Sequence, residues 1–262
     1  MKRYRLRKDQ MKKGIYILPN LFTTASLFSG FYSIIASMKG MYDIAAWTIL
    51  IAIVFDGLDG RIARMTRTTS KFGAEYDSLA DLVAFGVAPA ILAYHWALLS
   101  FGKWGWLAAF LFVTCGALRL ARFNVQTEII DSKFFNGLAI PAGASVVATA
   151  VLLYFQMGGE GQFNNLSILI GTVAVALLMV SSIKYYSFKD LNFFARKPFM
   201  SFVLIVLILV IVIAEPQIMI FTFSFGYALS GPVWLIYRLG RKKQTDTAQP
   251  THHHEKTGLT GQ

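Results

Sequence analysis

Apolar runs of roughly membrane-crossing length recur along this chain, separated by short stretches that carry charge or Gly and Pro. Residues 163–183 contain no charged side chain, and neither do residues 199–214. A hydrocarbon core of about 30 Å takes about 20 such residues per helix. The pattern therefore predicts about eight transmembrane helices, over 17–38, 43–65, 73–100, 103–124, 139–157, 164–184, 198–214 and 217–238. Glu215 and Pro216 leave room only for a tight turn between the last two. The expected fold class is an all-α polytopic membrane protein.

Composition agrees with lipid as the solvent. The 262 residues are 55% hydrophobic and 15% charged, against about 25% charged in an ordinary soluble domain. So many apolar side chains do not fit inside one water-soluble core. The net charge of +11 would suggest nucleic acid in a soluble protein. Here its placement points elsewhere, and no nucleic-acid partner is expected. With the N-terminus on the cytoplasmic side, all of the 25 Lys and Arg except Lys39 and Lys103 fall at the cytoplasmic face. That asymmetry puts both termini in the cytoplasm, in the multi-pass topology of a cell-membrane protein.

Three segments follow. Residues 1–16 form a basic cytoplasmic stretch suited to an anionic leaflet, in the manner of a short surface helix. It is a poor signal peptide, because the apolar run after it is too long and no small-residue cleavage site follows. Residues 17–238 form the transmembrane domain. Residues 239–262 are a polar tail, expected to be disordered, whose His252, His253 and His254 read as solvated. Cys115 is the single cysteine and sits in an apolar run, so it reads as a small buried side chain.

The chemistry lies in four carboxylates. Asp56 and Asp59 are three residues apart, and Asp77 and Asp81 four apart. On a helix each pair shares one face. A short loop makes the two helices antiparallel neighbours, so that all four side chains can converge near the cytoplasmic end. One Asp at the centre of a membrane helix costs about 2.5–3.5 kcal/mol. Four deep ones would cost on the order of 10–14 kcal/mol, less near the interface. Divalent cations relieve both that cost and the mutual repulsion. All-oxygen ligands suit Mg²⁺ or Mn²⁺, which also bridge to phosphate oxygens. Gly57, Gly60, Ala63 and Gly73 leave space beside the carboxylates, and Arg64 can hold a phosphate through paired hydrogen bonds. Helix–helix glue or interfacial anchoring would explain one such Asp, but not two spaced pairs with interleaved Gly, Ala and Arg.

The two blocks 56–64 and 73–81 fit D-x-x-D-G-x-x-A-R followed by G-x-x-x-D-x-x-x-D at Asp56, Asp59, Gly60, Ala63, Arg64, Gly73, Asp77 and Asp81. This resembles the signature of the CDP-alcohol phosphotransferase family, and it covers only about a tenth of the chain. The segments Leu18-Pro19-Asn20-Leu21-Phe22-Thr23, Leu118-Arg119-Leu120-Ala121-Arg122-Phe123-Asn124 and Phe135-Asn136-Gly137-Leu138-Ala139-Ile140-Pro141-Ala142 are similar to the branch of that family that makes phosphatidylserine.

The resemblance implies a helical bundle, two divalent cations (Mg²⁺ or Mn²⁺), and transfer of a phosphatidyl group from CDP-diacylglycerol to L-serine with release of CMP. It implies Asp56, Asp59, Asp77 and Asp81 as metal ligands, with Asp81 as the base or positioning group for the acceptor hydroxyl. It implies Gly60, Ala63, Arg64 and Gly73 around CDP, with help from Asn20 and Thr23. A homodimer in contact with membrane lipids is implied as well.

Serine is a zwitterion, so its carboxylate asks for a cation. Arg119 and Arg122 are candidates, and Asn124 can orient the ammonium or the hydroxyl. Both Arg equally suit a role as anchors at the inner face. Glycerol 3-phosphate or inositol phosphate as the acceptor would ask for a more crowded cationic pocket. A cation transporter would use membrane carboxylates too, but nearer the midplane and on broken helices.

Overall fold

The computed structural model describes residues 2–66, 70–126, 134–186 and 214–246, with side chains over 18–66, 70–125, 136–185 and 214–238. Helix α1 (Lys2–Met38) carries the basic stretch and the first span as one element, where a separate surface helix was expected. Gly14 costs only about 1 kcal/mol there, and Pro19 lies within the helix without ending it. Gly40, at φ +76°, turns the chain into α2 (Tyr42–Thr66).

The pair α1/α2 is held the way membrane helices are. Ser26 donates to the carbonyl of Ala52 at 3.1 Å, and Ser33 donates to that of Ala45 at 2.9 Å. Ala45, Ala46 and Ala52 are fully buried. Small side chains let the backbones approach, and the hydroxyls then find acceptors across the interface.

The third span runs unbroken from Lys71 to Phe101 but changes pitch along the way. It starts as α3 (Lys71–Asp81), capped by Ser70, whose hydroxyl accepts the Gly73 N–H at 3.0 Å. A π-helical stretch, Leu82–Val87, follows directly after Asp81. Then come α4 (Ala88–Ala93) and a second π-helical stretch, Tyr94–Leu98. Pro89 accounts for the first widening. It has no N–H to give, and its ring crowds the carbonyl one turn back.

Helix α5 (Lys103–Gln126) packs on α7 (Leu166–Val180). Helix α6 (Ile140–Gln156) packs on α2 and on α8 (Pro216–Asp246). A two-stranded antiparallel ladder, β1 (Phe134–Asn136) with β2 (Lys184–Tyr186), joins the chain just after α5 to the chain just after α7.

Phe85, Trp96, Phe112 and Ile140 lie in the centre of the bundle, while Phe28 (68% exposed), Phe110 (62%) and Ile170 (61%) face outward. Apolar side chains are the outer surface that lipid wants. Four described helical segments are long and apolar enough to cross a membrane: Leu18–Met38, Lys71–Phe101, Lys103–Val125 and Pro216–Arg238. Helix α2 matches them in length but carries Asp56 and Asp59, and α6 and α7 are shorter apolar helices. The protein is thus an all-α polytopic membrane protein. The span expected over 198–214 lies outside the described residues, apart from its last position. The final helix runs on past 238 to Asp246, into the segment expected to be a disordered tail.

Candidate active site

Helices α2 and α3 bring their carboxylates together. Asp56, Asp59 and Asp77 each offer one oxygen within 4.8 Å of the others. Asp81, one turn beyond Asp77, faces Asp56 at hydrogen-bonding range and interacts with Asp77 and Asp59 as well. The i, i+3 and i, i+4 spacings therefore do converge, on the inner faces of two adjacent helices.

Among the described residues, few groups neutralise this cluster. Asp59 is 5% exposed; Thr23 of α1 donates to its Oδ2 at 2.8 Å, and its carboxylate also takes the Gly60 N–H. Arg119 of α5 interacts with Asp81 and, more weakly, with Asp56. Asp77 Oδ1 is buried with no hydrogen-bond partner among the described residues. A buried carboxylate oxygen without a partner is costly, and four anions at this spacing repel one another. Oxygen donors alone, an orphaned buried oxygen and an excess of negative charge fit a hard divalent cation. The residues present thus suit the metal that the motif implies.

One side of the cluster is open. A Cβ at Gly57 would meet nothing within 4 Å, and one at Gly60 would meet only the Arg64 guanidinium, at 3.9 Å. Ala63 is half-buried and Arg64 is exposed. Asn20 and Gly73 face each other across α1 and α3, with Asn20 Oδ1 3.5 Å from where a Gly73 Cβ would stand. Thr24 and Tyr76 join the same two helices through their hydroxyls, 2.9 Å apart. Tyr76 also stacks on Phe72, ring centroids 6.1 Å apart. The middle of α1 thus touches both carboxylate helices.

The two arginines of α5 part company. Arg119 feels the charges of Asp81 and, more weakly, Asp56, with its guanidinium 5.5 Å from the centre of the Phe123 ring. Arg122 donates to the carbonyls of Asn136 (2.9 Å), Val180 (3.1 Å) and Ser181 (3.2 Å). It ties α5 to the end of α7 and to β1. Gly137, at φ +81°, completes this joint, since a Cβ there would stand 2.3 Å from the Met179 carbonyl oxygen. Asn124 donates to Ser78 Oγ at 2.9 Å, and Ser78 donates onward to the Ala74 carbonyl at 3.0 Å. That link fixes α5 against the turn of α3 that carries Asp77.

Sequence reading passed over Thr24, Tyr76 and Ser78. Tyr76 and Ser78 flank Asp77 within the second block and were open to notice.

The sequence profile of the CDP-alcohol phosphatidyltransferase family matches residues 16–180 of this chain. The chain is 44% identical over 183 residues to the CDP-diacylglycerol–serine O-phosphatidyltransferase of Helicobacter pylori, covering 68% of this chain and 75% of that protein. It is 39% identical over 179 residues to the archaetidylserine synthase of Methanothermobacter thermautotrophicus, covering 68% and 72%. A CDP-diacylglycerol–serine O-phosphatidyltransferase of Mycobacterium leprae is 37% identical over 175 residues, covering 65% and 58%.

Proposed function

The chain belongs to the CDP-alcohol phosphatidyltransferase family, and we propose that it moves the phosphatidyl group of CDP-diacylglycerol onto L-serine, giving phosphatidylserine and CMP in phospholipid biosynthesis. The observation that carries this reading is the meeting of Asp56, Asp59 and Asp77, with Asp81 beside them, in a chain 44% identical to a serine phosphatidyltransferase.

Asp56, Asp59, Asp77 and Asp81 hold two divalent cations, Mg²⁺ or Mn²⁺. When bound, these neutralise the diphosphate and make CMP a better leaving group. The chain's own residues do the rest. The open strip of Gly57, Gly60 and Ala63 admits the nucleotide, and Arg64 takes a phosphate oxygen pair. Asn20, Thr23 and Gly73 close that side, Thr23 through its bond to Asp59.

Arg119 receives the serine carboxylate and so brings the serine hydroxyl to Asp81. The hydroxyl oxygen bonds to the phosphorus nearest the lipid, the bond from that phosphorus to the CMP oxygen breaks, and Asp81 receives the hydroxyl proton. Asn124 and Arg122 keep α5 in register for this, Asn124 through Ser78 and Arg122 through three carbonyls. The placement of Lys and Arg supports an active site and both termini on the cytoplasmic face of the cell membrane. We read the working unit as a homodimer, as the family resemblance implies.

An acceptor panel tests the reading. Purified protein in detergent with CDP-diacylglycerol should form phosphatidylserine from serine, release CMP in equal amount, and stop when chelator is added. Phosphatidylglycerophosphate without phosphatidylserine would overturn the acceptor. CMP release indifferent to chelator would overturn the metal assignment, and no CMP release at all would point to a transporter.

A further inference from the structure

The turn that follows Asp81 is not an α-turn. The Ala88 N–H reaches back five residues to the Val83 carbonyl, and Leu82–Val87 is wound as a π-helix. Such widened turns are rare, and they collect at functional sites. Pro89 lets this one open. What holds it in place is its packing.

Ala84 lies within the widened turn, three residues beyond Asp81, and is fully buried. Its backbone rests on Gly30 of α1. A Cβ at Gly30 would stand 2.5 Å from the Ala84 Cα, 2.8 Å from its Cβ and 3.3 Å from its N. Backbone atoms cannot swing aside, so the seat exists only because residue 30 has no side chain. The contact at Gly86, two residues on and so on another side of the helix, is softer. A Cβ there would meet the ends of the Leu82 and Ile140 side chains, at 3.0 and 3.7 Å, and those methyls can move.

Gly30 shares a helix face with the acidic site. Thr23, Ser26 and Gly30 recur at i, i+3 and i+7, along one side of α1. Thr23 donates to Asp59, and Ser26 to the Ala52 carbonyl of the same helix α2. Gly30, about 10 Å further along the axis than Thr23, takes the turn behind Asp81. One face of α1 therefore touches a carboxylate of α2 and the backbone just beyond a carboxylate of α3. Upstream, α3 is held to α1 separately, through the Thr24 and Tyr76 hydroxyls. A displacement at Ala84 would thus fall on the residues between, where Asp81 stands.

We propose that Gly30 is a positioning residue for Asp81: it seats the π-helical turn, and so sets where Asp81 stands relative to Asp59 and Asp77. This deepens the two-cation reading of the carboxylate cluster and rests on it.

The test is Gly30→Ala in full-length protein purified in detergent. Electron paramagnetic resonance of free Mn²⁺ gives the metal Kd without turnover, and CMP release from CDP-diacylglycerol and serine gives kcat per folded molecule. The Mn²⁺ Kd should weaken about tenfold, and kcat should fall about a hundredfold. Gly143→Ala is the control for crowding alone. Its Cβ would come 2.6 Å from the end of the Met179 side chain, on α6 against α7, and both values should stay within about twofold of wild type whatever the melting temperature does. If Gly30→Ala yields no folded protein, Ala84→Gly decides. It loosens the seat from the other side by removing one methyl, and its Mn²⁺ Kd should weaken by more than about threefold. An unchanged Mn²⁺ Kd in the deciding variant, or an equal weakening in Gly143→Ala, would overturn the inference. A wild type that bound no Mn²⁺ would instead sink the two-cation reading itself, and with it the role of Gly30. A wild type that chose another acceptor over serine would leave the Mn²⁺ comparison intact.

Discussion

Thr23 Oγ1 donates to Asp59 Oδ2 at 2.8 Å, so helix α1 is part of the acidic site although it contributes no carboxylate. Asp59 is the most enclosed member of the cluster, and the same threonine hydroxyl also lies 3.2 Å from the Pro19 carbonyl. The bond fixes which way the Asp59 carboxylate turns. A hydrogen bond to a charged group is worth about 1.5–3 kcal/mol, and groups that orient a metal ligand typically change metal affinity by about 10–100-fold.

Thr23→Val removes the donor at nearly constant volume. The Mn²⁺ concentration giving half-maximal CMP release should rise by at least about tenfold, and Thr23→Ser should restore most of it. An unchanged metal requirement in Thr23→Val would show that Asp59 is oriented by something else.

Asp77→Asn keeps the shape of the side chain and removes one negative charge. Turnover should fall by more than about a hundredfold, because an amide is a poor ligand for a hard cation. The fold should survive. In chelator the variant's melting temperature should equal or exceed that of the wild type, since one of four mutually repelling anions is gone. Retained turnover would rule out Asp77 as a ligand.

Metal removal gives the mirror image. A cation that binds only the folded state stabilises by about 2.7 kcal/mol at a hundred times its Kd. Adding Mn²⁺ to the chelated wild type should therefore raise its melting temperature by several degrees, and the same addition should do much less for Asp77→Asn. Equal shifts in both proteins would place the stabilising ion elsewhere.

What sequence could and could not show follows from the range of the interactions. The carboxylate pairs were legible because helical spacing is local: i, i+3 and i, i+4 place Asp56 with Asp59, and Asp77 with Asp81, whatever the tertiary fold. The helices over 43–65, 103–124 and 139–157 were legible for the same reason. The π-helical stretch behind Asp81 was hidden, because apolar periodicity does not distinguish a widened turn, although Pro89 marks its place. Arg119 and Arg122 looked alike in sequence. What separates them is the set of carbonyls at Asn136, Val180 and Ser181, up to 59 residues away in the chain.

That separation of the two arginines makes a prediction of its own. Arg122 serves three backbone carbonyls through a planar fork that a lysine cannot reproduce. Arg122→Lys leaves at least one of them without its donor, at about 1–3 kcal/mol for each partner left unsatisfied. The melting temperature should drop and the KM values for serine and CDP-diacylglycerol should rise together, because the whole end of α5 shifts. Gly137→Ala strains the same joint through its positive φ and should behave likewise. Arg119→Lys keeps a charge near Asp81 but loses the fork, so the serine KM should rise selectively with little change in melting temperature. Serine KM rising alone in Arg122→Lys, with Arg119→Lys unaffected, would exchange the two roles.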